Sequence, residues 1–223
     1  MERISAEALW KNTEVSKALP YIQKFDMPFE ALSHIADMIV DISKELDKDK
    51  YNAISDGVWV AKSAIIAPTA TIIGPCIIDE DTEIRPGAFI RGNVIVGKKA
   101  VVGNSTELKN CILFDGVQVP HFNYVGDSIL GYKAHMGAGA VTSNVKSDKT
   151  LVTVRIDGER IETGRKKFGA LLGDFVEVGC NSVLNPGTVV GKNTSVYPLS
   201  SVRGYVPENS IYKSEDKIVD KLG

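Results

Sequence analysis

Residues 60–114 read VAKSAIIAPTATIIGPCIIDEDTEIRPGAFIRGNVIVGKKAVVGNSTELKNCILF. Stepping by six from Val60 meets Ile66, Ile72, Ile78, Ile84, Ile90, Val96, Val102, Leu108 and Phe114, an unbroken row of large apolar residues. Four places after most of them stands a small or β-branched residue: Ala64, Ala70, Cys76, Thr82, Ala88, Val94, Ala100, Thr106. A second run keeps the period through Leu172, Val178, Leu184, Val190, Val196 and Val202, and Val125, Leu130 and Met136 bridge the two with one five-residue step. A fixed short period marks a repeat architecture. Each hexad makes one short strand and one tight corner, so three hexads return the chain to the same face. Coils stacked at strand spacing, about 4.8 Å, then bury an apolar face that no single coil could bury alone.

The rest of the composition agrees. The 223 residues hold 26 Lys and Arg against 28 Asp and Glu, a net charge of −2, which argues against a strongly basic nucleic-acid binder. Three cysteines with no CxxC make no disulfide framework, and Cys76, Cys111 and Cys180 read as small buried residues in a reducing compartment. The first residues lack a basic-then-apolar leader pattern, and no apolar run reaches about 18 residues. The expected setting is the cytoplasm, with no membrane and no nucleic acid as partner.

Outside the repeat, Phe29, Leu32, Ile35, Ile39, Ile42 and Leu46 follow helical spacing, with Pro28 suited to the first turn. A shorter helix is expected over 6–19. The division expected is a helical segment over 1–54 that caps the open end of the solenoid, coils over 55–210, and a C-terminal short helix or tail over 211–223. His34 reads as a helix-surface residue. The repeat breaks near 147–168, where Asp157-Gly158 between two β-rich runs predicts a hairpin with a type I′ turn. Arg155, Arg160, Arg165, Lys166 and Lys167 make this excursion basic, either as a solvated loop or as a flap over an anionic ligand.

Two glycine motifs mislead. Residues 92–99, GNVIVGKK, nearly match a P-loop, but Lys99 stands where a magnesium-binding Ser or Thr belongs. Gly137-Ala138-Gly139 lacks both the third glycine and the strand–turn–helix setting of a dinucleotide site. The informative stretch is 103–144, GNSTELKNCILFDGVQVPHFNYVGDSILGYKAHMGAGAVTSN, where His, Asn, Tyr, Lys and Asp crowd into an otherwise bland repeat. His121 follows Pro120 at a step where the hexad phase slips, and a neutral imidazole is the natural general base near neutral pH.

These hexads resemble the hexapeptide-repeat transferases, and the resemblance implies a left-handed parallel β-helix, mainly β, with three-sided coils. Residues 103–144 further resemble the acetyltransferase domain of the bifunctional bacterial enzymes that make UDP-N-acetylglucosamine, whose loose signature is an RPG, GNxxExK, HxxYxGD, then GAG and an Asn. All elements occur here in order. The resemblance implies acetyl-CoA as co-substrate, no metal, and a homotrimer with sites between subunits. It assigns His121 as catalytic base, Glu107 as an acid near it, Lys109 to the sugar phosphate, Tyr124 to substrate, and Ala138 and Asn144 to acetyl-CoA.

The sequence departs from the family pattern at three places. The RPG arginine, Arg85, lies 24 residues before Lys109, whereas Arg91 lies 18 before it, one coil, so Arg91 is favoured for the phosphate and Arg85 held second. His135 replaces a substrate-binding Asn, and Cys180 a CoA-contacting Ser. No GxGTR-type loop of a nucleotidyltransferase occurs, so pyrophosphorylase activity is not expected. The expected function is acetyl-CoA-dependent N-acetylation of an amino sugar phosphate, glucosamine 1-phosphate-like, in nucleotide-sugar synthesis. The alternative is an inactive hexapeptide-repeat module that binds a sugar phosphate or nucleotide sugar. A γ-type carbonic anhydrase, which shares the fold, would need three histidines around a metal, and His34 lies in the helix.

Overall fold

The computed structural model describes residues 2–11 and 16–221. It is a left-handed parallel β-helix of about nine coils. Each coil has three faces, visited in the order II, III, I. Face II carries strands such as Cys76–Ile78 and Val94–Val96, face III strands such as Val101–Asn104 and Gln118–His121, and face I strands such as Phe89–Arg91. Successive coils pair in parallel, Val58 with Cys76 and Cys76 with Val94, which is the eighteen-residue return read from the hexads. The inward aliphatics Ile78, Ile84, Ile90, Val96, Val102 and Leu108 are at most 1% exposed and form the core.

The phase slips earlier than the sequence suggests. Cys111 pairs with Val94 and Tyr124 with Glu107, returns of seventeen residues. The lost residue lies at the corner between faces I and II. That corner takes two left-handed residues in Gly92 and Asn93 but only one in Asn110 and again in Asp127. Strands Glu107–Leu113 and Tyr124–Leu130 therefore run on around it. Leu113, not Phe114, continues the inner row from Val96, and Pro120 is not where the slip occurs. Phe114 is displaced to the next corner, where it stays buried against Trp10, ring centres 5.1 Å apart.

The N-terminal segment does not sit over the open end as expected. The short helices Ala6–Leu9 and Leu19–Ile22, the 3-10 turn Pro28–Ser33 and the helix Ile35–Glu45 lie along face II. The reason is in the outward residues of that face. Ile77, Ile95, Ile112, Ile129, Leu171 and Val189 point away from the coil interior yet are at most 2% exposed. A strand apolar on both sides must be covered on both sides. The open first coil is closed instead by Tyr51–Ser55, which pairs antiparallel with Val58–Ala61. At the other end, Lys217–Asp220 is a strand folded back on Ser210–Ser214, not the helix expected there; an unpaired last edge invites such a partner. Part of the helix expected over 6–19 lies outside the described residues. No helix among the described residues is long and apolar enough to cross a membrane.

The excursion is a hairpin, Thr153–Ile156 against Glu159–Glu162, with Asp157 and Gly158 both at positive φ, as a type I′ turn requires.

Candidate active site

The III–I corner gathers three of the residues expected at the site. The amides of Phe122, Gly139, Asn181 and Leu199 donate to the carbonyls of Asn104, His121, Ala138 and Cys180. His121, Ala138 and Cys180 thus occupy one corner position in three successive coils. Coil spacing puts His121 and Cys180 about 10 Å apart along the axis. Cys180 is exposed, contrary to the buried reading, because a corner side chain points outward. Cys76 and Cys111 are buried, and burial alone pushes the Cys76 thiol up to about 12.

His121 is exposed, and among the described residues its imidazole makes no hydrogen bond. Its backbone is held firmly: its amide donates to Asn123 Oδ1 (3.1 Å), and Asn123 Nδ2 donates to the carbonyls of Gly137 (2.8 Å) and Ala140 (3.0 Å) in the next coil. Asn123 is 2% exposed, so these bonds replace lost water contacts. It fixes the corner that presents His121 and escaped the sequence reading. The signal available was an Asn at a corner position otherwise filled by Thr106 and Ala140.

Face I lies beside this corner. Outward residues alternate along a strand, so Arg91, Glu107, Lys109 and Tyr124 share its outer surface. Leu108 pairs with Ile90, which puts Arg91 one coil before Lys109 in the same row. Arg85 points from face III and pairs with Glu83 at 3.1 Å. Arg91 Nη1 meets Glu107 Oε1 at 2.6 Å, so the expected acid is bonded to the expected phosphate ligand. The Lys109 ammonium has no hydrogen-bond partner among the described residues.

Tyr124 folds over Gly126. A Cβ on Gly126 would stand 2.5 Å from the Tyr124 hydroxyl, so a larger residue there would displace the tyrosine side chain from this position. The hydroxyl accepts from Asn144 Nδ2 at 3.3 Å. Burial raises the phenol above its ordinary range, with the Asn144 hydrogen bond opposing, so Tyr124 stays a donor at neutral pH. Asn144 is not with Ala138 and Cys180. It stands at the far edge of face I, stacked with Asp127 and Asn110 at the I–II corner. Asp127 is 5% exposed and accepts from Asn144 at 2.6 Å and from Asn110 at 2.9 Å. Asn110 also donates to the Leu32 carbonyl at 3.1 Å, and Arg165 donates to the Ser33 hydroxyl, which ties the N-terminal segment to this ladder. Gly126 and Asp127 were visible in HxxYxGD but carried no role there.

His135 lies apart from the other residues expected to bind substrate, on face III, where its Nδ1 meets Glu177 Oε2 at 2.8 Å. It lines a groove of about 800 Å³ with Gln118, Lys133 and Phe175.

The family model described as the GMPPB C-terminal domain matches residues 72–206. The chain belongs to this family. The matched residues hold the III–I corner and all of face I just described. Among curated proteins, the bifunctional sugar-1-phosphate nucleotidylyltransferase/acetyltransferase of Sulfurisphaera tokodaii is 31% identical over 195 residues, 78% of this chain and 48% of that protein. The bifunctional protein GlmU of Methanococcus vannielii is 37% identical over 139 residues, 62% of this chain and 33% of that one. The chain thus spans about half the length, or less, of the relatives it matches. The matches fall on their acetyltransferase region, in keeping with the resemblance of residues 103–144. Among solved structures, the polySia-specific acetyltransferase NeuO aligns with a TM-score of 0.45 at 12% identity, covering 75% of this chain and 88% of that one.

Proposed function

We propose that the protein transfers the acetyl group of acetyl-CoA to the amine of an amino sugar phosphate, glucosamine 1-phosphate being the first acceptor to test. The observation that carries this reading is the arrangement at the III–I corner. An exposed imidazole on a rigid turn stands in one column with Ala138 and Cys180 and beside a face bearing Arg91, Lys109 and Tyr124. In this reading His121 takes the proton of the attacking amine as the C–N bond forms, and the C–S bond of the thioester breaks to release CoA. The Ala138 N–H, which meets no carbonyl among the described residues, is offered to the developing oxyanion, whereas the Gly137 N–H is taken by the Val178 carbonyl at 2.7 Å. Lys109 and Arg91 take the phosphate, with Glu107 holding Arg91 in place, and Tyr124 donates to a sugar oxygen. Glutamate bound to arginine is an orienting group here; proton transfer rests on His121.

We further propose a homotrimer. Face II is covered by the chain's own helices, whereas Phe122 (62% exposed), Tyr197 (45%) and Leu199 (79%) flank the III–I corner. A second copy set against that corner would bring its face III, with His135 and Glu177, onto face I of the first. That juxtaposition gives His135 its substrate role despite its place on another face.

The test is acceptor-dependent release of free thiol from acetyl-CoA across amino sugar phosphates, led by glucosamine 1-phosphate and galactosamine 1-phosphate. Release with one of them supports the reading. Tight binding of a sugar phosphate with no release from folded protein would favour the binding module instead, a reading that the Arg91–Glu107 pair also suits.

A further inference from the structure

One corner column is interrupted by a glycine. Asp81, Lys99, Gly116, Lys133, Phe175 and Asn193 follow one another coil by coil at the II–III corner. Each is at positive φ, and the amide of each later member donates to the carbonyl just before the earlier one. Gly116 leaves a gap between two lysines that stand two coils, about 10 Å, apart. A Cβ on it would stand 2.9 Å from Lys133 Cγ, so the lysine stem lies across the gap. Here opens the groove of about 800 Å³ that His135 lines, a volume within the range of small-molecule sites.

The charges in this groove do not cancel. Lys99 and Lys133 are exposed, and among the described residues neither meets a carboxylate within salt-bridge distance. The two carboxylates of the lining are engaged, Glu177 with His135 and Asp115 with the Lys98 amide at 2.8 Å. Lys98 is itself held by Glu80 at 2.6 Å. Unpaired ammonium groups are point-charge ligands for phosphate. Toward the next coils the lining turns aromatic. Phe175 is 45% exposed and meets Tyr132 edge to face, ring centres 5.3 Å apart. A bulky residue is strained at φ +58°, whereas Asn, which the column carries at 193 and 209, suits that conformation. A corner that only closed the coil would be better served by Asn; an exposed ring held there has a face to offer. Between lysines and aromatics, Gln118 and His135 stand side by side in successive coils, and Glu177 on Nδ1 leaves His135 Nε2 for a hydroxyl.

Phosphate ligands, a polar floor and an aromatic wall thus succeed one another over two to three coils, in the order of diphosphate, ribose and base. We propose that the groove binds a nucleoside diphosphate, with its phosphates between Lys99 and Lys133, its ribose on Gln118 and His135 and its base against Phe175, either as the free nucleotide or as part of a nucleotide sugar. The site lies at the edge of face III away from the III–I corner, and it stands without acetyl transfer.

Calorimetric titration of the full chain with UDP and with GDP tests the groove directly. One of the two is expected to bind, and the Lys99→Ala/Lys133→Ala variant to lose about tenfold or more in affinity. Phe175→Asn is expected to lose about fivefold or more, the worth of base–aromatic stacking. It is also expected to unfold at the parent's temperature or higher, since Asn suits the left-handed position; a ring that served only the fold would lower that temperature. Inorganic pyrophosphate is expected to bind more weakly and to be indifferent to Phe175→Asn. The nucleotide sugars of the same base separate the sources. Tighter binding than the nucleoside diphosphate, lost in the same variants, assigns the groove to a nucleotide sugar, and weaker binding assigns it to the free nucleotide. Absence of binding by both UDP and GDP, or affinities untouched in both variants, overturns the inference. Pyrophosphate bound as tightly as the nucleotide makes the groove a plain anion site and overturns it too. Displacement of the nucleotide by CoA, with CoA affinity falling equally in the variants, overturns it in favour of the acyl donor.

Discussion

Faces I and II meet at the Asn110–Asp127 corner and share the same inner ladder, yet they end differently. Face II is apolar outside as well as inside, and the described helices and turns of the N-terminal segment, up to Glu45, lie on it. Face I carries arginine, glutamate, lysine and tyrosine outward and stays open beside His121. The inner row of hexads builds the solenoid; the outward residue between two inner ones decides whether a face is covered or left for a ligand. The corner between them holds both outcomes together. Asp127 fixes Asn144 for Tyr124 on one side and Asn110 for the N-terminal segment on the other.

The contrast can be broken by substitution. Ile112→Ala, on the outer side of face II, is expected to cost about 2–4 kcal/mol by leaving a cavity under the helices, seen as a fall in denaturant midpoint. Lys109→Ala, on the outer side of face I, is expected to stay within about 0.5 kcal/mol of the parent, since exposed positions carry little stability. Equal losses at the two positions would dissolve the distinction. Asp127→Ala should rank next, costing about 1–2 kcal/mol, because the half-buried amides of Asn110 and Asn144 lose their shared acceptor. It is expected to raise hydrogen exchange over the 28–33 segment bound through Asn110, which a merely local loss would not do.

The smallest effect concerns pH. Burial, with Lys98's amide opposing, pushes the Asp115 carboxyl up to about 6. Its folded value then exceeds its unfolded one, about 3.9, so the folded state binds the proton more tightly. Its stabilising contribution is complete below pH ~4 and is lost as pH rises through ~6. Asp115→Asn is expected to gain about 1 kcal/mol over the parent above pH ~6 and nothing below pH ~4, measured as denaturant midpoints at the two pH values.

The inner architecture was legible because one period governs it: Ile78, Ile84 and Ile90 recur wherever a coil needs an inward residue. The covered outer side of face II is less legible, although CII, VIV and ALL are apolar throughout, because the six-residue period reports on only one residue in six. The place of the phase slip was hidden because Phe114 is as apolar as the Leu113 that takes its role. At the site, the motif brought out His121, Lys109 and Tyr124, whose chemistry shows in their residue type. Asn123 fixes the corner of His121 and Asp127 fixes the Asn144 that meets Tyr124, through hydrogen bonds across coils that only the folded chain creates, and Gly126 leaves the space into which Tyr124 folds. The hairpin was legible from Asp157-Gly158; the groove at Gly116 required the stacking of successive coils.

The measurement that bears most directly on the central claim is acetyl transfer by His121→Ala, read as free thiol released from acetyl-CoA with the preferred acceptor. The imidazole is exposed and bonded to nothing among the described residues, so its removal should leave the unfolding temperature unchanged. The expected result is a fall in kcat of about 10²–10⁴-fold, the worth of a positioned general base. A folded His121→Ala protein that kept most of the parent's activity would contradict it.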